Sequence, residues 1–181
     1  MSRHLPVSRL HRPHALPCPP SRPVFFRVPT VQPGSLPMTT TDDVLASIRR
    51  HGAQAYPEEG CGFLLGTMEE GENQVVDTEP VANRRTENRE RRYEITPDDY
   101  RAANRVAQAR GLAVVGFSPP HPDPPAEPSD TDLEEAAFPG YTYVIISVHG
   151  GTPHEITAWT LAADRSEFRP EDISVEQREA L

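Results

Sequence analysis

The apolar run Leu112-Ala113-Val114-Val115 breaks into a stretch holding Pro119, Pro120, Pro122, Pro124, Pro125 and Pro128, and this pairing restricts the chain more than any other feature. Four consecutive apolar residues ahead of turn formers suit a strand buried on both faces. Prolines at that density exclude helix and interior strand. Leu133-Glu134-Glu135-Ala136-Ala137 then reads as a helix. A buried strand that ends in a stiff polar loop and passes into a helix is where an α/β protein places its chemistry. Here the loop carries His121, Ser129 and Asp132.

Other elements fall on both sides of this loop. Thr41-Asp42-Asp43 supplies an N-cap with acids behind it, and Val44, Leu45 and Ile48 share one helical face, so a helix is predicted up to about Gly52. His51, in its last turn, reads as a favourable cation at the negative end of the helix dipole. Gly60 to Gly66 is a second buried strand, with Glu58 and Glu59 at its mouth. Residues 74–81 and 91–95 read as further strands, joined by the charged run Arg84 to Glu90, an exposed loop or a contact for a protein substrate. Thr96-Pro97-Asp98-Asp99 announces a helix that stops at Gly111. Tyr141 to Val148 is the strongest strand, and a turn at 149–154 leads to a partner over 155–161, with Trp159 expected on an edge strand. His149 and His154 sit at the hairpin tip, where exposure explains them. From Arg165 onward a strand-like patch at 167–169 and a short helix or frayed tail are expected.

Two local readings stay open. Glu59 either caps a turn or serves as an acid/base group at a strand mouth. Ser129-x-x-Asp132 ahead of an apolar-periodic stretch is close to a capping box, with Ser129 as the cap of a helix starting at Asp130.

Glu59 two residues before Cys61-Gly62, His121, and Ser129-x-x-Asp132 together resemble the JAMM metalloproteases, also called the MPN-type or JAB-type family. Their signature is an upstream Glu, then His-x-His, seven residues, Ser, two residues and Asp. The resemblance covers residues from about 40 to 165. In its register the first histidine falls on Pro119 and the serine between the histidines on Pro120.

The resemblance implies a three-layer α/β domain, cytidine-deaminase-like, with a mixed, curved sheet and flanking helices. It implies a zinc-dependent metallo-isopeptidase that cuts after the C-terminal Gly-Gly of ubiquitin-like or sulfur-carrier proteins. His121 and Asp132 would be metal ligands, Glu59 the general acid/base and Ser129 the oxyanion donor. Proline has no side-chain donor, so Pro119 leaves zinc weakly held or absent, unless Asp123 or His154 fills the place. The alternative within the same family is a metal-poor binding or scaffold domain that docks the same tails without cutting.

Charge and composition narrow the partners. Residues 1–37 carry five Arg, nine Pro and no acid, which leaves thirteen Arg against all twenty-seven acids in the remainder. That first segment is expected to be a disordered tail, with residues 38–181 as the domain. A basic arm, or upstream sequence read through a misplaced start, are its other readings. So acidic a body argues against nucleic acid as a partner. Cys18 and Cys61 lie in different regions, which argues against a disulfide framework and for a reducing compartment. No apolar run approaches the ~20 residues that span a bilayer. The expectation is therefore a cytoplasmic protein with no membrane association.

Overall fold

The structure is a computed structural model that describes residues 37–69, 72–122 and 125–177. The expected tail lies outside these residues except at Pro37. Strand β1 (Met38–Thr41) runs into helix α1 (Asp42–Ala55), followed by β2 (Cys61–Glu69) and β3 (Glu72–Val81). Helix α2 (Pro97–Ala109) precedes β4 (Ala113–Phe117), β5 (Pro120–Pro122) and the short helix α3 (Asp130–Glu135). Strands β6 (Thr142–His149), β7 (Thr152–Leu161), β8 (Phe168–Glu171) and β9 (Ile173–Glu176) complete the order.

The strands form one mixed sheet in the order β8-β7-β6-β4-β2-β3-β1-β9, with β5 added alongside β6. Pairs β2–β3, β2–β4, β6–β7 and β7–β8 are antiparallel, whereas β4–β6, β5–β6, β1–β3 and β1–β9 are parallel. Register shifts at Leu65/Gly66, Leu64/Leu65 and Ile146/Val148 interrupt these ladders, and such irregularities bend strands and increase their twist.

Alternation along the central strands sorts the apolar side chains into two cores. Leu64, Val115, Val144, Ile146 and Val148 pack with Val44, Leu45 and Ile48 of α1. Phe63, Leu65, Val114, Phe117 and Tyr143 pack with Ala103 and Ala107 of α2. Both faces of the sheet are covered, so β2, β4 and β6 read as continuous apolar runs. The result is the three-layer α/β arrangement.

Several expectations need correction. Residues 91–95 form turn and irregular backbone, because their polar groups are bound by the side chain of Asn83 rather than by a strand. Pro120-His121-Pro122 joins the sheet as β5, pairing in parallel with Ile146, Ser147 and Val148. Its position outside β6 suits proline, which sheets tolerate at edges. Trp159 is not on an edge strand, since β8 covers β7 with Trp159 opposite Pro170. Residues 173–176 form β9, pairing with β1, where a helix or frayed end was expected.

Candidate active site

The candidate side chains come from three elements, the mouth of β2, β5 and the start of α3. His121 sits at the middle of β5 opposite Ser147 and is 8% exposed. Asp132 is the third residue of α3, where it completes a reciprocal capping box. Ser129 N donates to Asp132 Oδ2 at 2.7 Å, Ser129 Oγ donates to the same oxygen at 2.6 Å, and Asp132 N donates back to Ser129 Oγ at 3.2 Å. Of the two open readings of Ser129-x-x-Asp132, the cap is thus present in full. It also aims the Asp132 carboxylate, whose Oδ2 lies 3.6 Å from His121 Nε2. That separation is too long for a hydrogen bond. His121 Nε2 is buried without a hydrogen-bond partner.

Glu59 enters from the mouth of β2. Its carboxyl is pushed up to about 7, first by burial. The negative charges of Asp132 and Glu135 push the same way, against the opposing influence of His121 and Arg85. At Asp132 burial works to raise the pKa, but His121 and the two Ser129 donors outweigh it and hold the carboxyl below its ordinary value. One carboxyl near neutrality beside another kept ionised is the division of labour expected of a proton-transfer site.

Close backbone packing brings these elements together. A Cβ on Gly60 would lie 2.7 Å from Pro120 Cγ, so only glycine lets the residue after Glu59 close against β5. A groove of about 230 Å³ opens beside Glu59, lined among others by His51, Glu58, Val81, Asn83 and Arg89. Glu58 pairs there with Arg89 at 2.9 Å. Burial lowers the pKa of His51, which disfavours the cation expected at the helix end. Cys61 is a buried thiol that donates to the Val81 carbonyl at 3.2 Å and is pushed up to about 12 by burial, so it is structural and unreactive.

The donor set can be tested against zinc. An orphaned imidazole nitrogen 3.6 Å from a carboxylate oxygen is a pair of zinc-type donors facing one point. A catalytic zinc has three protein ligands, and the third position belongs to buried Pro119, which offers none. Among the described residues no group of three or more His, Cys, Asp or Glu side chains is arranged to hold a metal. Of the two alternatives for the vacancy, His154 is exposed at the hairpin tip with its ring 6.1 Å from that of His149, and Asp123 lies outside the described residues. The residues present therefore fit two-thirds of a catalytic zinc site.

Comparison with known proteins decides the family. Residues 41–162 match the family described as prokaryotic homologs of the JAB domain. The chain belongs to this family. The chain is 35% identical over 143 residues to a desampylase of Haloferax volcanii, covering 78% of this chain and 96% of that protein. It resembles the solution structure of a Salinibacter ruber protein at 61% identity and TM-score 0.64, over 80% of this chain and 95% of the other. A protein of Desulfitobacterium hafniense matches at 25% identity and TM-score 0.68, over 78% and 94%. No helix among the described residues is long and apolar enough to cross a membrane.

Proposed function

We propose that this JAB domain is an isopeptidase that hydrolyses the bond after the C-terminal Gly-Gly of a ubiquitin-like or sulfur-carrier protein in the cytoplasm. Its likeness to a desampylase supports the substrate class. The observation that carries the chemistry is the buried, unpartnered His121 Nε2 at 3.6 Å from Asp132 Oδ2, with the Glu59 carboxyl pushed up to about 7 in their electrostatic reach. A group with that pKa exists in both protonation states at neutral pH, so it can take the proton of an attacking water and pass it to the leaving amine. His121 and Asp132 would hold the metal. Zinc, when bound, supplies a water acidified enough to act as nucleophile at neutral pH. Ser129 holds the Asp132 carboxylate in its facing orientation, and donation to an oxyanion would require that its hydroxyl be released from Asp132.

Pro119 favours a second reading, in which the domain docks the same tails without cutting them. One ligand of a zinc site worth ~10–16 kcal/mol contributes on the order of 3 kcal/mol, so its loss weakens loading by ~10²-fold. A ubiquitin-like protein joined through Gly-Gly to a lysine side chain, incubated with excess zinc, separates the readings. Cleavage that Glu59→Gln abolishes is the expected result. Tail binding without cleavage supports the docking domain, and neither binding nor cleavage overturns both.

A further inference from the structure

The residues joining β3 to α2 hold a side chain whose every polar position is spoken for. Asn83 Nδ2 donates to the Glu59 carbonyl at 3.0 Å and to the Arg92 carbonyl at 2.9 Å. Asn83 Oδ1 accepts from the amides of Arg85 at 3.0 Å and Glu94 at 3.3 Å. An amide side chain has two N–H donors and two oxygen lone pairs, so all four are used. Rotating it by half a turn would set donors against donors, which fixes its orientation. The same segment grips Glu59 from its other side, since Glu59 N donates to the Arg89 carbonyl at 2.6 Å. Arg89 in turn donates to the Asn83 carbonyl at 3.3 Å. The segment also reaches α3, where Arg85 pairs with Glu135 at 3.2 Å, three residues beyond Asp132.

We propose that Asn83 is a positioning residue for the reaction, the knot of a strap over residues 83–94 that clamps both main-chain polar groups of Glu59 and keeps its carboxyl turned to His121 and Asp132. This rests on the assignment of Glu59 as the acid/base. No other residue type satisfies the position. Asp has the acceptors but no donors, Gln is longer by a methylene, and Ser has a single donor. The donor half of Asn83 serves Glu59 and Arg92, while its acceptor half holds the strap's own turns, so the two halves are separable by mutation.

Asn83→Asp removes the donors and retains the acceptors. In full-length protein, losing the Nδ2 bond to the Glu59 carbonyl should loosen the strap that carries the Arg89 carbonyl, so the Glu59 amide that donates to Arg89 should exchange about tenfold faster than in wild type in NMR hydrogen exchange. The Arg85 and Glu94 amides, and core amides such as Leu64 and Ile146, should keep their wild-type rates. An unchanged Glu59 amide, or equal acceleration of all of these amides, would overturn the proposal. This readout needs no turnover, so it stands apart from whether the chain cleaves Gly-Gly conjugates. In the Pro119→His with Pro120→Ser background, whose donor set is complete, Asn83→Asp should lower kcat at least tenfold with KM within twofold. A rise in KM at unchanged kcat would instead assign the strap to substrate binding and count against the proposal.

Discussion

The pKa of Glu59 links folding to the proposed acid/base role at a single side chain. Its carboxyl titrates at 4.5 in an open chain and at about 7 in the folded one. Between those values the folded state keeps a proton that the unfolded state has lost, so stability is highest below 4.5 and falls as pH rises to about 7. The full shift corresponds to about 3 kcal/mol, and partial exposure of the side chain reduces this to about 1–2 kcal/mol. Glu59→Gln should therefore be more stable than wild type by about 1–2 kcal/mol at pH 8 and equal to it near pH 4, in urea unfolding with chelator present. A difference independent of pH would mean that Glu59 is solvated. The residue at 119 decides a second outcome. Wild-type protein should carry little zinc by elemental analysis, whereas Pro119→His with Pro120→Ser should carry about one equivalent, because three protein donors complete the site. Tightly held metal in the wild type would show that a residue other than these supplies the third donor.

At the scale of elements, α3 is a helix of six residues, none of them fully buried, whose first turn is closed by a capping box. Ser129→Ala removes the cap and should cost about 1 kcal/mol in urea unfolding. It should also free the Asp132 carboxylate from its hydroxyl donor, which raises the Asp132 pKa, measurable by carboxyl NMR titration. No change in either quantity would detach the cap from the site. Thr41 occupies the N-cap of α1 without a side-chain cap hydrogen bond, while Val44, Leu45 and Ile48 are buried on the face their spacing indicates. Thr96 and Asp99 form a full capping box at α2, and the Arg84 guanidinium together with Thr96 holds Asp99 down at about 2. These features were legible because each depends on residues within one helical turn. Residues 91–95 misled for a related reason. Their composition suits a strand, yet a strand exists only where a neighbour offers a ladder, and Asn83 took its place.

Across the whole molecule, the site exists because β2, β4 and β6 lie close enough to set Glu59 opposite β5 and α3. Gly116 controls that closeness, since a Cβ there would meet the Thr142 carbonyl oxygen at 2.1 Å and Leu64 Cδ1 at 2.9 Å. Gly116→Ala should push β4 from β6 and cost about 3 kcal/mol or more in urea unfolding, at the upper end of overpacking effects. A loss below about 1 kcal/mol would mean that the two strands can separate without strain. The sequence by itself determined the helices α1 and α2 and the buried strands β2, β4 and β6, while Glu59, His121, Ser129 and Asp132 were singled out by resemblance to the family signature. The helices and strands follow from periodicity and capping, which act over a few neighbouring residues. Only the tertiary structure decided that β5 and β9 are strands, that Trp159 is covered, that Asn83 binds Glu59, and that the Glu59 carboxyl sits near neutrality. Each of these depends on which distant backbone becomes a neighbour and how much water it displaces, and neither quantity is a property of a local stretch of chain.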